Sequence, residues 1–437
     1  MKRINNSAIV LSLFVGMMYT NAQEKKQLSL DEAVQLGIQN SKSLKIDAAK
    51  IEEATADLLE AKNRQLPELK VSGSYMYLPI KPNIDLKLPG VSAAGGPEVH
   101  QVAYGSANLS VPIYSGGRIK YGIQSAKYLV EASKLSTEND KIAIAYNVAQ
   151  AYNNLFKANQ SIKVLEENLT ASQKRDETFL KLENNGVIAR NDRLKANLQT
   201  SNIELQLLEA KNNYNIANIN MDLLLGLPET TEIEVDQNYL DESDDVKPVS
   251  FYLNEARENR KDLQALDQQR KAAELGTKSA KAENLPSIAF TGGYVAADIP
   301  KFLTIYNAVN VGVGISYNLS NLWKENSSLK QSKAREMQLS ATNELLNDNI
   351  KLDVNREYQN SDYSKKRITV FEKAAVQANE NYRITKNKYD NGLATMTELL
   401  DADAAQIAAN VGVINAKADA ALAYRKLLQT TGTLTIK

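Results

Sequence analysis

The sequence predicts a mainly α-helical chain that carries a transmembrane β-barrel portion and is built as a two-fold internal repeat. Three observations predict it. Glycine and proline number only 20 and 10 in 437 residues, against roughly 12% together in an average protein, which leaves room for long uninterrupted helices. Ala61-Lys62, Leu66-Pro67, Gly73 and Tyr75 recur 219 positions later as Ala280-Lys281, Leu285-Pro286, Gly292 and Tyr294. Finally, Val309, Val311, Val313, Ile315, Tyr317 and Leu319 alternate with Asn310, Gly312, Gly314, Ser316 and Asn318. That is a period of two over the roughly 11 residues a tilted membrane-spanning strand needs.

The chain opens on an export pattern. Lys2 and Arg3 precede an apolar run from Ala8 to Met18, followed by Thr20-Asn21-Ala22 with small side chains where a signal peptidase reads. As a helix that run rises about 16 Å, against about 30 Å of hydrocarbon, so it is too short to anchor. Removal of residues 1–22 is expected, with loss of Lys2 and Arg3 and a net charge falling from 0 to −2. The mature chain then begins at Gln23, with no cysteine to lipidate. No later stretch approaches 18 apolar residues, so entry into a membrane is left to strands.

Each half of the repeat reads helix, strand pair, very long helix, tight turn, helix. Beyond the strand pair the offset becomes 206, where Asn185-Gly186-Val187 matches Asn391-Gly392-Leu393 and Gly226 matches Gly432. The change of 13 places a longer loop in the first half, between Pro67 and residue 112. The first repeat, 23–226, has predicted helices at 29–65, 118–183 and 191–225 and strands at 69–79 and 102–114. A linker at 227–249 holds Pro228, Pro248, the acidic run Asp241 to Asp245 and one short strand at Ile233 to Val235. The second repeat, 250–437, has helices at 251–284, 325–390 and 397–429 and strands at 287–297 and 307–319. Loops are expected at Pro79 to Pro97 and Ala297 to Thr304.

The two longest helices would each span roughly 100 Å. Ile144, Val148, Ala151, Leu155, Ala158, Ile162, Leu165 and Leu169 follow the 4-3 spacing of a coiled-coil seam. The matching positions of the second half include Glu357, Ser361 and Ser364. This implies different neighbours for the two long helices, or a partly wet lumen.

Four strands cannot close a barrel, and open edges in lipid leave backbone groups unsatisfied, so oligomerisation is required. Three chains would give 12 strands around water; two would give eight around a filled interior. Tyr75, Tyr77, Tyr104, Tyr114, Tyr294, Tyr306 and Tyr317 lie in or beside the strands, as an interfacial aromatic girdle requires. The absence of cysteine and the single His100 exclude disulfides, thiolate clusters and multi-histidine metal sites. A balanced charge gives no footprint for nucleic acid. No catalytic residue, cofactor or metal is expected, and Gly312 and Gly314 open no helix as a phosphate loop would.

The sequence resembles the TolC-like outer-membrane efflux proteins over essentially the whole mature chain. The resemblance is carried by Leu66-Pro67 and Leu285-Pro286, by Ser110-Val111-Pro112-Ile113-Tyr114-Ser115-Gly116-Gly117-Arg118, and by the turns Asn185-Gly186-Val187 and Tyr389-Asp390-Asn391-Gly392-Leu393-Ala394-Thr395. It implies a homotrimer in outer-membrane lipid, with a 12-stranded barrel continued by a periplasmic α-helical coiled-coil tunnel. It implies docking of a periplasmic membrane-fusion adaptor protein at Gly186, Val187, Gly392 and Leu393. A periplasmic gate is implied at Glu398, Asp401, Asp192 and Tyr389, where rings of carboxylates would favour cations and raise one another's pKa values. Family members often carry a closing arginine where this chain has Ala394; Arg190 is the substitute the sequence offers.

The function implied is that of a passive exit duct for drugs or other small molecules, served by an inner-membrane pump for which the RND type stands ahead of the ABC type. A type I protein-secretion duct is the sibling reading, and a pore-less periplasmic tether the reading from another class.

Overall fold

The computed structural model describes residues 25–80, 82, 99–240, 247–300 and 302–435. The export signal, most of the first hairpin loop and the Asp241 to Asp245 run lie outside the described residues. In chain order the elements are β1 (Lys25–Leu28), α1 (Leu30–Asn40), α2 (Lys42–Asn63), β2 (Glu68–Tyr77), β3 (Gln101–Tyr114), α3 (Arg118–Asn184) and α4 (Arg190–Leu225). They continue with β4 (Glu232–Val235), α5 (Val249–Asn259), α6 (Lys261–Ala282), β5 (Ser287–Ile299), β6 (Leu303–Ser316), α7 (Ser327–Asp390) and α8 (Met396–Thr431). Among the described residues no helix is long and apolar enough to cross a membrane. The chain divides into two compact units, one formed by 1–42, 141–256 and 353–437, the other by 43–140 and 257–352.

The second unit holds a four-stranded antiparallel sheet in the order β2-β3-β5-β6. Its registers sort the side chains into two faces, because directly paired residues share a face. Leu69, Val71 and Tyr75, with Ala107, Leu109, Phe290, Tyr294, Val309, Val311, Val313 and Ile315, form the apolar face. Most of these large side chains are exposed. The other face carries Lys70, Ser72, Ser106, Asn108, Thr291 and Asn310, with Ser72 and Ser106 hydroxyls 2.9 Å apart. Gly293 belongs to this polar face, and a Cβ there would sit 2.6 Å from Asn310 Oδ1. Tyr104 pairs with Ser74 and Ala297 and therefore joins the polar face, away from the girdle expected for it.

The motifs around the strands meet in this unit. Gly116 turns the chain out of β3 at φ +68°, and a Cβ on it would lie 2.9 Å from the Ala282 carbonyl and 3.0 Å from Leu285. The glycine is thus needed both for its left-handed backbone and for its closeness to the Leu285-Pro286 entry. Ser125 of α3 donates to the Ala272 carbonyl of α6, and Thr277 of α6 donates to Glu336 of α7, so the helices of the unit are tied side by side.

The core of the first unit joins Leu28, Ala33, Val34, Val148, Tyr152, Leu155, Met221, Leu225, Ile233 and Ala418. Tyr152, fully buried on α3, donates to the Leu28 carbonyl at 2.9 Å and accepts from the Asp236 amide at 2.7 Å, fastening β1 and β4 to the helix. Burial pushes its phenol up to about 12. Gly37 lets α1 close onto α3, since a Cβ there would meet Val148 Cγ2 at 2.6 Å.

Four local differences from the sequence expectation have physical reasons. The helices predicted at 29–65 and 251–284 are each broken in two, at Ser41 (ψ 121°) and Arg260 (ψ 118°), which are equivalent positions of the repeat. At the first break Asn40 donates its amide to the distant Leu225 carbonyl at 2.7 Å, and at the second Arg260 clasps Asp262 two residues on. Lys25–Leu28 forms a strand because it pairs in parallel with Glu232–Val235. The alternation from Val309 stops at Ser316, because Asn318 caps a short 3-10 turn by accepting from the Ser320 amide. Finally, of the two expectations for Glu357, Ser361 and Ser364, their burial inside the protomer fits different neighbours and not a wet lumen. Glu357 is held there by Arg356 and Asn360.

Candidate functional site

The two tight turns, 185–189 and 391–395, end the α3/α4 and α7/α8 pairs of the first unit. At each, glycine takes φ +71°. Val187 N–H bonds the Leu182 carbonyl and Gly186 N–H the Glu183 carbonyl, both at 2.9 Å. Leu393 and Gly392 repeat the pattern on Lys388 and Tyr389 at 2.8 and 3.0 Å. This is the Schellman stop, in which the left-handed residue satisfies the last carbonyls of the helix. The stop accounts for the glycines. It does not account for Val187 and Leu393, which are 67% and 78% exposed.

Behind the turns the two helix pairs share one apolar cluster. Phe179 of α3, Ala196 of α4, and Met396 and Leu399 of α8 are buried together, with Leu182, Ile188, Tyr382, Tyr389 and Leu400 at its edge. Tyr389 packs on Phe179 with ring centroids 5.8 Å apart. Burial pushes its phenol up, and the charges of Asp192 and Asp390 push the same way. Tyr389 and Asp192 are thereby neighbours, although they belong to different turns.

The acidic positions are differently employed. Glu398 closes a capping box with Thr395: its carboxylate accepts from the Thr395 amide at 2.6 Å, while Thr395 Oγ1 accepts from the Glu398 amide at 3.2 Å. Those bonds to the Thr395 amide and hydroxyl hold the carboxyl below its ordinary range, so within one protomer the shift runs opposite to that expected for a crowded acidic ring. Asp401, one turn on, is exposed and has no ion-pair partner among the described residues. Asp192 sits 3.6 Å from Lys195. Arg190 is exposed and makes no ion pair among the described residues.

Sequence reasoning missed a polar contact that joins three of the helices behind the turns. Arg175 of α3 reaches across to α8 and grips Asp403 with both nitrogens, at 3.1 and 3.0 Å, and donates to the Tyr382 hydroxyl of α7 at 3.1 Å. Burial opposes the guanidinium's charge, but the hydrogen bonds and charge of Asp403, with Tyr382, outweigh it and raise its pKa. Arg175 and Asp403 are 228 positions apart and carry no local motif, so no signal in the sequence marked them. A second bridge, Lys157 to Asp419 at 2.9 Å, again joins α3 to α8.

One more feature bears on assembly. Helix α4 buries Ala196, Thr200, Ile203, Leu207, Met221 and Leu225. Leu194, Leu198, Leu205, Leu208 and Ile219 are exposed, and their 4-7-3-11 spacing keeps them on one heptad stripe. The two stripes are offset by two residues, about 200° around the helix, so α4 is apolar on two opposite faces and covered on one.

Comparison with known proteins agrees with this geometry. The profile of the outer membrane efflux protein family matches residues 33–227 and 252–433, one match per repeat. The chain is similar in structure to the outer membrane protein VceC from Vibrio cholerae (TM-score 0.77, 18% identity, covering 92% of this chain and 96% of that one). It is also similar to the CmeC outer membrane channel of Campylobacter jejuni (0.75, 18%, 93% and 86%) and to the open state of the Neisseria gonorrhoeae MtrE outer membrane channel (0.73, 19%, 93% and 89%). No curated protein matches the sequence. With both repeats matched over most of their length, the chain belongs to the outer membrane efflux protein family and is an outer-membrane channel protein with a large periplasmic part.

Proposed function

We propose that three copies of this chain form a passive exit duct for drugs or other small molecules, fed by a periplasmic adaptor and an inner-membrane pump of the RND type. The observation that carries the reading is the uncovered second stripe of α4, which a neighbouring copy would bury. The sheet supports it, since β2 and β6 each have one edge unpaired among the described residues. Closing those edges copy to copy would satisfy their backbone in lipid, and 12 strands leave a lumen that eight would not.

In detergent the protein is expected to run as a trimer and to conduct ions in planar bilayers. Leu198→Lys with Leu205→Lys should reduce the trimer at least about tenfold, because each places a charge in an apolar seam. A variant that stays trimeric, or a parent that never conducts, would count against the duct.

The acidic residues Glu398, Asp401 and Asp192, with Tyr389, form the gate in this reading, the carboxylates meeting their symmetry mates only in the trimer. Gly186, Val187, Gly392 and Leu393 form the adaptor-docking turns, with the two exposed aliphatic side chains as anchors. Val187→Asp with Leu393→Asp should weaken capture of the co-expressed adaptor by about tenfold or more while leaving trimer and conductance intact, as expected when a buried apolar contact becomes a charge. Undiminished capture would remove these turns from the interface.

A further inference from the structure

A pair of carboxyl groups in the second unit lies away from the turns. Asp47 of α2 is 4% exposed, and its Oδ1 accepts from Lys50 Nζ at 3.0 Å. Its Oδ2 is buried with no hydrogen-bond partner among the described residues. The Asp140 carboxyl of α3 lies within hydrogen-bond reach of the Asp47 side chain. Two carboxylates are both acceptors, so nothing links them unless a proton lies between. A buried acceptor left unmatched costs free energy, and two like charges in contact cost more.

We infer that Asp47 and Asp140 form a proton-binding site that ties α2 to α3, one proton being shared between the facing oxygens. The groups acting on Asp140 are Asp47 and Lys50 from α2 and Asn139 from its own helix. Lys50 offsets one of the two negative charges, so a single proton makes the group neutral as a whole. A divalent metal ion fits less well. Calcium takes about six to eight oxygens and magnesium about six, whereas the pair offers two carboxylates beside an ammonium that repels a cation.

The direction of titration agrees. Burial first, then the Asp47 charge, holds the Asp140 carboxyl above its ordinary range, with Asn139 and Lys50 pulling the other way. A folded-state pKa raised above the unfolded value means that the contact is fully present at low pH and is lost as pH rises through the folded value. The α2–α3 contact is therefore tightened by acid.

The test uses the full chain in detergent, with Asp222→Asn introduced throughout so that the carboxyl that burial pushes up to about 6 does not contribute. The unfolding midpoint should fall as pH is raised from about 5 to about 8. Asp140→Asn keeps a donor between the helices without a titratable proton, and should flatten that slope and raise the midpoint at the alkaline end. Infrared difference spectra should show a protonated-carboxyl band at neutral pH that Asp140→Asn removes, a readout that stands even if Asp47→Asn does not fold. An unchanged slope together with an unchanged band would overturn the proposal. A slope abolished by chelator and restored by calcium or magnesium would overturn it too, by assigning the site to a metal ion.

Discussion

Arg175→Met should loosen the paired turns more than any other single change in the first unit. The substitution leaves Asp403, with a side chain only 5% exposed, as an uncompensated buried charge and takes the donor from Tyr382. Breaking one partner out of such a pair costs about 3–5 kcal/mol, whereas replacing both by apolar groups of similar volume is close to neutral. Arg175→Met alone should therefore raise amide exchange through 175–184 and 396–407 strongly. Arg175→Met with Asp403→Leu should return much of the protection. Because the pair joins α3 to α8, the single variant should also increase the open fraction in bilayer recordings. Equal exchange in the parent and both variants would show that the cluster around Phe179 and Met396 holds the turns unaided.

Asp222→Asn should do the reverse and stabilise the first unit, but only at neutral and alkaline pH. Asp222 is 0% exposed near the end of α4; Asn218 donates to its Oδ2 at 2.9 Å, while Oδ1 has no partner. Burial, then the charge of Glu229, pushes its carboxyl up to about 6. The unfolded chain has the ordinary value near 3.9. The neutral acid is accommodated below that value, and the favourable balance is lost as pH rises through about 6. Each pKa unit corresponds to about 1.4 kcal/mol, so the ionised carboxylate costs about 3 kcal/mol at about pH 8. The asparagine variant should melt higher than the parent there and converge with it at about pH 4. A parent whose midpoint does not move between those conditions relative to the variant would mean that Asp222 finds solvent or a cation when it ionises.

Much of the architecture was legible because it is periodic and local. The 219- and 206-residue offsets identified the repeat, the scarcity of glycine and proline foretold helices as long as α3 and α7, and the alternation from Val309 to Ile315 placed a strand with one apolar face. The turn glycines were legible too, since only a left-handed residue ends a helix in this way. The breaks at Ser41 and Arg260 were not, because neither position holds proline or glycine, and the Asn40 bond to Leu225 joins residues 185 positions apart. Lys25–Leu28 becomes a strand only because Glu232–Val235 lies beside it.

The candidate site divides along the same line. Gly186, Val187, Gly392 and Leu393 stand out in one dimension, and their conformation follows from their own backbone. Glu398 stands out equally, but the Thr395-x-x-Glu398 spacing is also a capping box, and the structure shows its carboxylate employed there within the protomer. Arg175, Tyr382 and Asp403 became a unit only when three helices met.

By itself, then, the sequence determined the helical and strand periods, the doubled plan and the conformation of the turns, since these depend on neighbours within a few residues. The tertiary structure alone decided which polar groups are brought together: Arg175 with Asp403, Asp47 with Asp140, Asp222 with Asn218, and the buried seam at Glu357, Ser361 and Ser364. The physical reason is that the worth of a charge depends on its dielectric surroundings and on the partner brought to it, and neither is encoded at the position of the residue itself.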